Sequence, residues 1–257
     1  MQNDPIHDEA VRKLFNESSE NYASLFLPKK TGKNFAFRKR LVLVSEAAQQ
    51  ASGQLFDCAT GSGEVSTAIL AKGRFERATL LDISPRMLDL VAKQINEKLA
   101  RNIASQIELI RENIFCFAPK DENCKYDCIL CLGLIAHTGR LKELLVLLRG
   151  LLVKDGIILL QSTLLDHFGT RVERFFSEER FFRKHGYKIT YYRHQDVTSA
   201  CADAGLEIFA HKRFSLGLPF GDHFWGWGNY QLELFFQRWA EVHGSEAIYV
   251  LKADGKA

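Results

Sequence analysis

No apolar run in this sequence approaches the ~18 residues that a membrane-spanning helix requires. The opening Met1-Gln2-Asn3-Asp4-Pro5 lacks the basic start and apolar stretch of a secretory signal, so a cytoplasmic protein is the expectation. Charge of one sign is also missing. The 34 Lys and Arg stand against 31 Asp and Glu, too slight an excess to point to nucleic acid or a membrane surface. No histidines and carboxylates recur at metal-ligand spacing, so no catalytic metal is expected, and there is no Gly-Lys-Ser/Thr phosphate loop. Six cysteines fall partly in apolar, strand-like runs, which suits buried small hydrophobes in a reducing compartment. What remains is an ordinary soluble composition, 46% apolar and 25% charged over 257 residues, enough to bury one α/β core.

The chain is organised around Leu55-Phe56-Asp57-Cys58-Ala59-Thr60-Gly61-Ser62-Gly63-Glu64-Val65. An apolar pair runs into an acid, a small-residue turn carries two glycines, and a helical pattern follows, so this is a strand–turn–helix unit built to meet a ligand. Gly61 and Gly63 permit positive φ and close approach, and Ser62 to Val65 would offer the free N–H groups of a helix start. Asp57 at the strand end would repel a pyrophosphate and suits an amine, a hydroxyl or water. The next strand-end acid, Asp82 in Leu80-Leu81-Asp82-Ile83-Ser84, comes 25 residues later, near the spacing of an acid that grips ribose hydroxyls.

At these residues the sequence resembles the class I S-adenosylmethionine-dependent methyltransferases. Asp57, Gly61 and Gly63 match the family's first motif, with Ala59 where its first glycine usually falls, and Asp82 matches the acid that ends its second strand. Ser84-Pro85-Arg86-Met87 looks like the helix start that follows. Residues 107–114 resemble the third strand and its turn, with Asn113 where an aspartate is common; 126–137 look like the fourth strand, and 147–160 like a helix, a glycine turn and the fifth strand. The resemblance implies a Rossmann-like three-layer sandwich. Its seven-stranded sheet would be mainly parallel, with the last strand antiparallel to its predecessor at the sheet edge. It also implies S-adenosylmethionine as cofactor, leaving as S-adenosylhomocysteine, and a small-molecule acceptor with an oxygen, nitrogen or carbon nucleophile. Tyr22, Asp57, Ala59, Gly61, Ser62, Gly63, Asp82, Ile83, Met87, Asn113, Ile114 and Leu132 are the cofactor residues it implies. No amide- or adenine-methylating signature follows the fourth strand, which argues against nucleic-acid amino groups as acceptors.

Along the chain, residues 1–50 are expected to form a helical lid and a first packing helix, and 51–257 the core. Val11, Leu14, Phe15 and then Tyr22, Leu25, Phe26 recur at helical steps, giving two short helices broken near Ser18-Ser19. Tyr22 either touches the cofactor's methionine end or only packs the lid. Residues 28–34 read as a basic turn, and 37–50 as a helix packing through Leu41, Val44 and Ala48; its Arg38-Lys39-Arg40 cluster faces either an acidic substrate or, more commonly, solvent. Strands at 54–58, 78–82, 106–111, 126–132 and 157–162 alternate with helices at 65–71, 85–100 and 141–151, the pattern of a parallel sheet. In 171–185 basic residues interleave with Phe175, Phe176, Phe181 and Phe182, favouring a helix with an aromatic core stripe over a nucleic-acid surface. A helix over 193–204 and strands at 206–216 and 245–251 follow. Between these strands lies an aromatic insertion, 217–244, which is expected to cover the site mouth or to join two copies in a homodimer.

His137, His167 and His223 are the candidate catalytic groups. A histidine after the fourth strand either takes a proton from the nucleophile or orients the acceptor, and the loops of His167 and His223 should overhang the pocket, closed by segments near Tyr22, His167 and Trp225. Three rivals stay open. Cys124, Cys128 and Cys131 have the C-x3-C-x2-C spacing of a radical S-adenosylmethionine cluster, although residues three apart on a strand point to opposite faces. A nucleotide-dependent oxidoreductase would share the sheet. A family member that binds the cofactor without methylating would share the site.

Overall fold

The structure, a computed structural model, describes residues 5–27, 31–119, 124–224 and 226–255. Trp225 and the first half of the basic turn, Pro28-Lys29-Lys30, lie outside the described residues. In chain order the elements are α1 (Pro5–Tyr22), α2 (Gly32–Ala47), β1 (Gly53–Asp57), α3 (Glu64–Leu70), β2 (Phe75–Asp82), α4 (Pro85–Lys98), α5 (Arg101–Ala104), β3 (Ile107–Arg111), β4 (Tyr126–Cys131), α6 (Ile135–Thr138), α7 (Leu141–Leu151), β5 (Leu152–Thr163), α8 (Phe168–His185), α9 (His194–Asp203), β6 (Leu206–Phe214), α10 (Gly221–Phe224), α11 (Trp227–Phe235), α12 (Gln237–His243) and β7 (Glu246–Ala253).

The seven strands form one sheet in the order β3-β2-β1-β4-β5-β7-β6. β1 to β5 are parallel, and β7 runs antiparallel to both β5 and β6. Alternation along each strand feeds two cores. Phe56, Ile129, Cys131, Ile158 and Tyr249 pack with α7 and α9 on one face. Leu55, Leu80, Cys128, Leu130 and Ile248 pack with α2, α3 and α4 on the other. Strands covered on both faces read as nearly continuous apolar runs, which is why β1, β4 and β5 were visible in the sequence. Because Cys128 and Cys131 belong to different cores, their thiols cannot converge on one cluster.

Four expectations are corrected. β7 is not at the sheet edge but lies between β5 and β6. Its residues Ala247 to Leu251 are all buried, and such a strand needs neighbours on both sides; β6 carries outward polar residues such as His211 and Lys212, which suit an edge. The N-terminal segment holds no break: α1 is one helix, since Ser18 Oγ and Ser19 Oγ donate to the carbonyls of Phe15 (3.4 Å) and Asn16 (2.8 Å) and remain inside the helix. No glycine turn precedes β5, which begins at Leu152 directly after α7 and runs through Gly156. Finally, α8 has no aromatic core stripe: Phe175 is 81% exposed and Phe176 65%. The first turn of α8 is what packs inward, through Gly169 and Thr170, and the exposed rings meet each other and Phe220.

Candidate active site

The carboxyl ends of β1, β2, β4 and β5 open into a cavity of about 1120 Å³. That edge is where parallel α/β sheets hold ligands, because loops there are free to diverge at the change in strand order between β1 and β4. The cavity is roofed by α1. Asn113 Nδ2 donates to Asp8 Oδ2 (2.6 Å), Ser84 Oγ to Asn16 Oδ1 (2.7 Å), and His7 Nε2 pairs with the carbonyl of His137 (2.7 Å). These three bonds tie the helix across the ends of β2, β3 and β4.

Of the residues the sequence singled out, Tyr22, Ala59, Gly61, Asp82, Ile83, Asn113, Ile114, Leu132, His137 and His223 all line this one cavity. Asp82 is held by two backbone donors, Gly61 N–H to Oδ2 (2.9 Å) and Ser84 N–H to Oδ1 (2.8 Å). Each oxygen retains a lone pair for a further donor. Burial pushes its carboxyl up to about 7, against those two bonds. Tyr22 lies over Gly61: a Cβ there, at φ +55, would come within 3.2 Å of the ring.

Asp57, Ser62, Gly63, Met87 and His167 do not line the cavity. Asp57 is 2% exposed and accepts from Ser66 Oγ and from Ala59 N–H (3.3 Å); burial raises its carboxyl to about 6. It holds the turn from behind. Ser62 bonds Glu64, and Gly63, at φ +85, lets the chain pass Val91, which an added Cβ would meet at 3.1 Å. Met87 is fully buried, its amide capped by Ser84 Oγ (3.2 Å). His167 caps α8 by accepting from Thr170 N–H at Nδ1 (3.4 Å). The turn's amides are also used within the protein: Thr60 N–H goes to the Leu81 carbonyl, Gly61 N–H to Asp82 and Gly63 N–H to the Thr60 carbonyl.

His137 sits in α6, its Nδ1 2.8 Å from the Tyr187 hydroxyl and its ring edge-on to Phe15. Burial, with a smaller push from His7, lowers its imidazole to about 4, so the ring is neutral at physiological pH. The sequence reading missed a polar wall opposite Asp82. Gln161 and Thr163 end β5, and Glu246 opens β7 in register with Thr163. Gln161 Nε2 and Thr163 Oγ1 donate to the two oxygens of Glu246 (2.9 and 2.7 Å), and Arg40 Nη1 donates to Gln161 Oε1 (3.1 Å). The strand-end rule would have flagged Gln161 and Thr163. Glu246 has no such signal, because it reaches that edge only through the antiparallel placement of β7.

Residues 56–158 match a family model described as a methyltransferase domain. The matched stretch is similar to a methyltransferase domain. It spans β1 to β5, and so contains the turn, Asp82, Asn113 and His137. No curated protein matches the sequence significantly. Among solved structures, residues 56–158 and the segments flanking them are similar in fold to the magnesium protoporphyrin IX methyltransferase ChlM from Synechocystis PCC 6803 with bound S-adenosylmethionine (13% identity, 98% of this chain, 100% of that one, TM-score 0.63). They are likewise similar to the N-methyltransferase NodS from Bradyrhizobium japonicum WM9 with S-adenosylhomocysteine (10% identity, 96% and 100%, TM-score 0.61). A third likeness is to the cyclase SpnF (12% identity, 96% of each chain, TM-score 0.65).

Proposed function

We propose that this chain moves a methyl group from S-adenosylmethionine to an oxygen, nitrogen or carbon nucleophile of a small molecule held in the cavity, leaving S-adenosylhomocysteine. The observation that carries this reading is Asp82, anchored by two amides and facing the cavity with lone pairs for a ribose hydroxyl pair. Ile83, Asn113 and Ile114 flank that carboxylate, Ala59, Gly61 and Leu132 floor the site, and Tyr22 closes it from the N-terminal segment, which acts as a lid. Asp57, Ser62, Gly63 and Met87 shape the turn without touching the ligand. The turn amides being engaged internally disfavours a pyrophosphate there, and with it a dinucleotide-dependent oxidoreductase.

The cofactor supplies a sulfonium methyl whose bond to sulfur breaks as the bond to the nucleophile forms. The protein's part is to hold the acceptor in line. We read His137 as orienting the acceptor or taking its proton: it lines the cavity, and burial, by weakening it as a base, supports the orienting role more; His223 lines the same cavity, and His167 acts on the fold. Titration calorimetry with S-adenosylmethionine, followed by chromatography for S-adenosylhomocysteine in an acceptor screen, tests the proposal. Micromolar binding with acceptor-dependent product is the expected result, and absence of cofactor binding would overturn it. One second reading is cofactor binding with chemistry other than methyl transfer; one solved structure of similar fold is that of a cyclase, and this reading would show as binding with no demethylated product from any acceptor.

Within the insertion, Asp222 and Asn229 turn inward and Gly32 and Lys33 amides bond to Asp222 (2.6 and 2.9 Å), while Trp227, Phe235 and Trp239 are 50% or more exposed. The insertion therefore lines the cavity and presents an outer aromatic face. That face supports a homodimer as the state in solution. Sedimentation velocity is expected to give a dimer in the wild type and a monomer in Phe235→Glu; a monomeric wild type would exclude it.

A further inference from the structure

The Arg38-Lys39-Arg40 cluster divides in the fold. Arg38 is exposed, but Arg40 is only 6% exposed and lines the cavity. Its one hydrogen bond among the described residues runs from Nη1 to Gln161, and no carboxylate among them lies within ion-pair distance. The Phe37 and Phe26 rings sit 4.3 and 5.4 Å from the guanidinium carbon, so aromatic surface rather than a counter-charge packs against the group. Nε is buried with no acceptor among the described residues. The tip reaches toward Gly133, just past β4, where an added Cβ would lie 3.9 Å from Nη1. A guanidinium stripped of water without a directly paired anion is costly; Asp57 and Glu246 feel its charge from a distance, but the neutral amide of Gln161 stands between it and Glu246.

We propose that Arg40 is an acceptor-binding residue, its free Nε–Nη2 edge receiving a small oxyanion, a carboxylate, phosphate or phosphonate, on the molecule to be methylated. The edge is a planar fork of two parallel N–H donors, which matches two oxygens of one such group. The Phe37 and Phe26 rings packed against it hold the fork still, so little side-chain freedom is lost on binding. That the oxyanion belongs to a methyl acceptor rests on the function proposed above; that the pocket takes an oxyanion does not.

The test follows the arginine Nε–H resonances of the protein by NMR, cofactor-free and with S-adenosylhomocysteine, during titration with acetate, inorganic phosphate, methylphosphonate and, as a cationic control, ethylammonium. At least one anion is expected to move the resonance that disappears in Arg40→Lys, saturably. Its affinity, read by titration calorimetry in wild type and variants alike, should fall more than tenfold in both Arg40→Lys and Arg40→Gln, because neither side chain offers the planar fork, while S-adenosylhomocysteine affinity in the same variants changes by much less. Which of the three anions binds identifies the group. The proposal is overturned if no anion moves that resonance, if ethylammonium does so instead, or if the lysine variant binds as well as wild type, because charge balance alone would survive that change. Should a variant fail to fold, the wild-type titration still decides. Anion binding without S-adenosylhomocysteine binding would uphold the oxyanion site and reject the methyltransferase reading.

Discussion

Asp82→Ala is expected to weaken S-adenosylmethionine binding roughly ten- to hundredfold, the loss of about 1.5–3 kcal/mol that accompanies removal of hydrogen bonds to a charged group. The side chain does two things at once. It faces the cavity, and it accepts the amides of Gly61 and Ser84, so its removal also leaves two N–H groups at the turn without acceptors. Calorimetric titration, with a thermal melt to confirm folding, measures the effect, and unchanged affinity would remove Asp82 from the site. The same carboxyl sets a pH dependence. Burial holds it near 7 in the free protein, whereas a ribose hydroxyl donating to it favours the charged form. Binding below that pH therefore releases a proton, and affinity should rise with pH from about 5 to about 7 and then level. His137, neutral over that range, adds nothing to the slope. Stability of the free protein runs the other way. From the unfolded value of 3.8 toward about 7 the folded state holds a proton that the unfolded chain has lost, so this carboxyl's contribution to stability falls as pH rises.

Gly169→Ala is expected to cost about 3 kcal/mol of stability, at the upper end for forced overpacking, with a fall in melting temperature of roughly 6–12 °C for a chain of this size. Gly169 lies in the first turn of α8, where an added Cβ would fall 2.0 Å from the Gly217 carbonyl oxygen and 3.0 Å from His167 Cε1. Neither side can yield cheaply: the oxygen is backbone, and Gly217 is itself at φ +56, with a Cβ there meeting Ser245 at 2.4 Å. This contact sets α8 against the loop that carries Leu218 and Phe220 into the cavity. Differential scanning calorimetry checks the result, and a melting temperature unchanged within a degree or two would show that α8 moves freely over that loop.

The contrast between Asp82 and Asp57 shows where sequence reading stops. Both are strand-end acids beside the same turn, and period and spacing cannot separate them. The fold turns Asp82 into the cavity and Asp57 behind the turn onto Ser66, a difference of side-chain direction decided by how β1 and β2 lie beside one another. His167 and His137 divide in the same way, one capping α8 and the other walling the cavity.

By itself the sequence determined the αβ alternation, the glycine turn, the acid at Asp82 and the order of the first five strands' motifs. Each is a local pattern, in which apolar period, special backbone conformation and strand-end placement are properties of a dozen residues at a time. Only the tertiary structure decided that β7 enters between β5 and β6, that α8 turns Phe175, Phe176 and Phe182 outward, and that Arg40, Gln161 and Glu246, more than a hundred residues apart at the extremes, form one polar wall. These depend on which surfaces meet after the chain has closed on itself, and on the desolvation that follows. A charge run such as 38–40 looks the same in sequence whether its last arginine ends in water or beneath a helix.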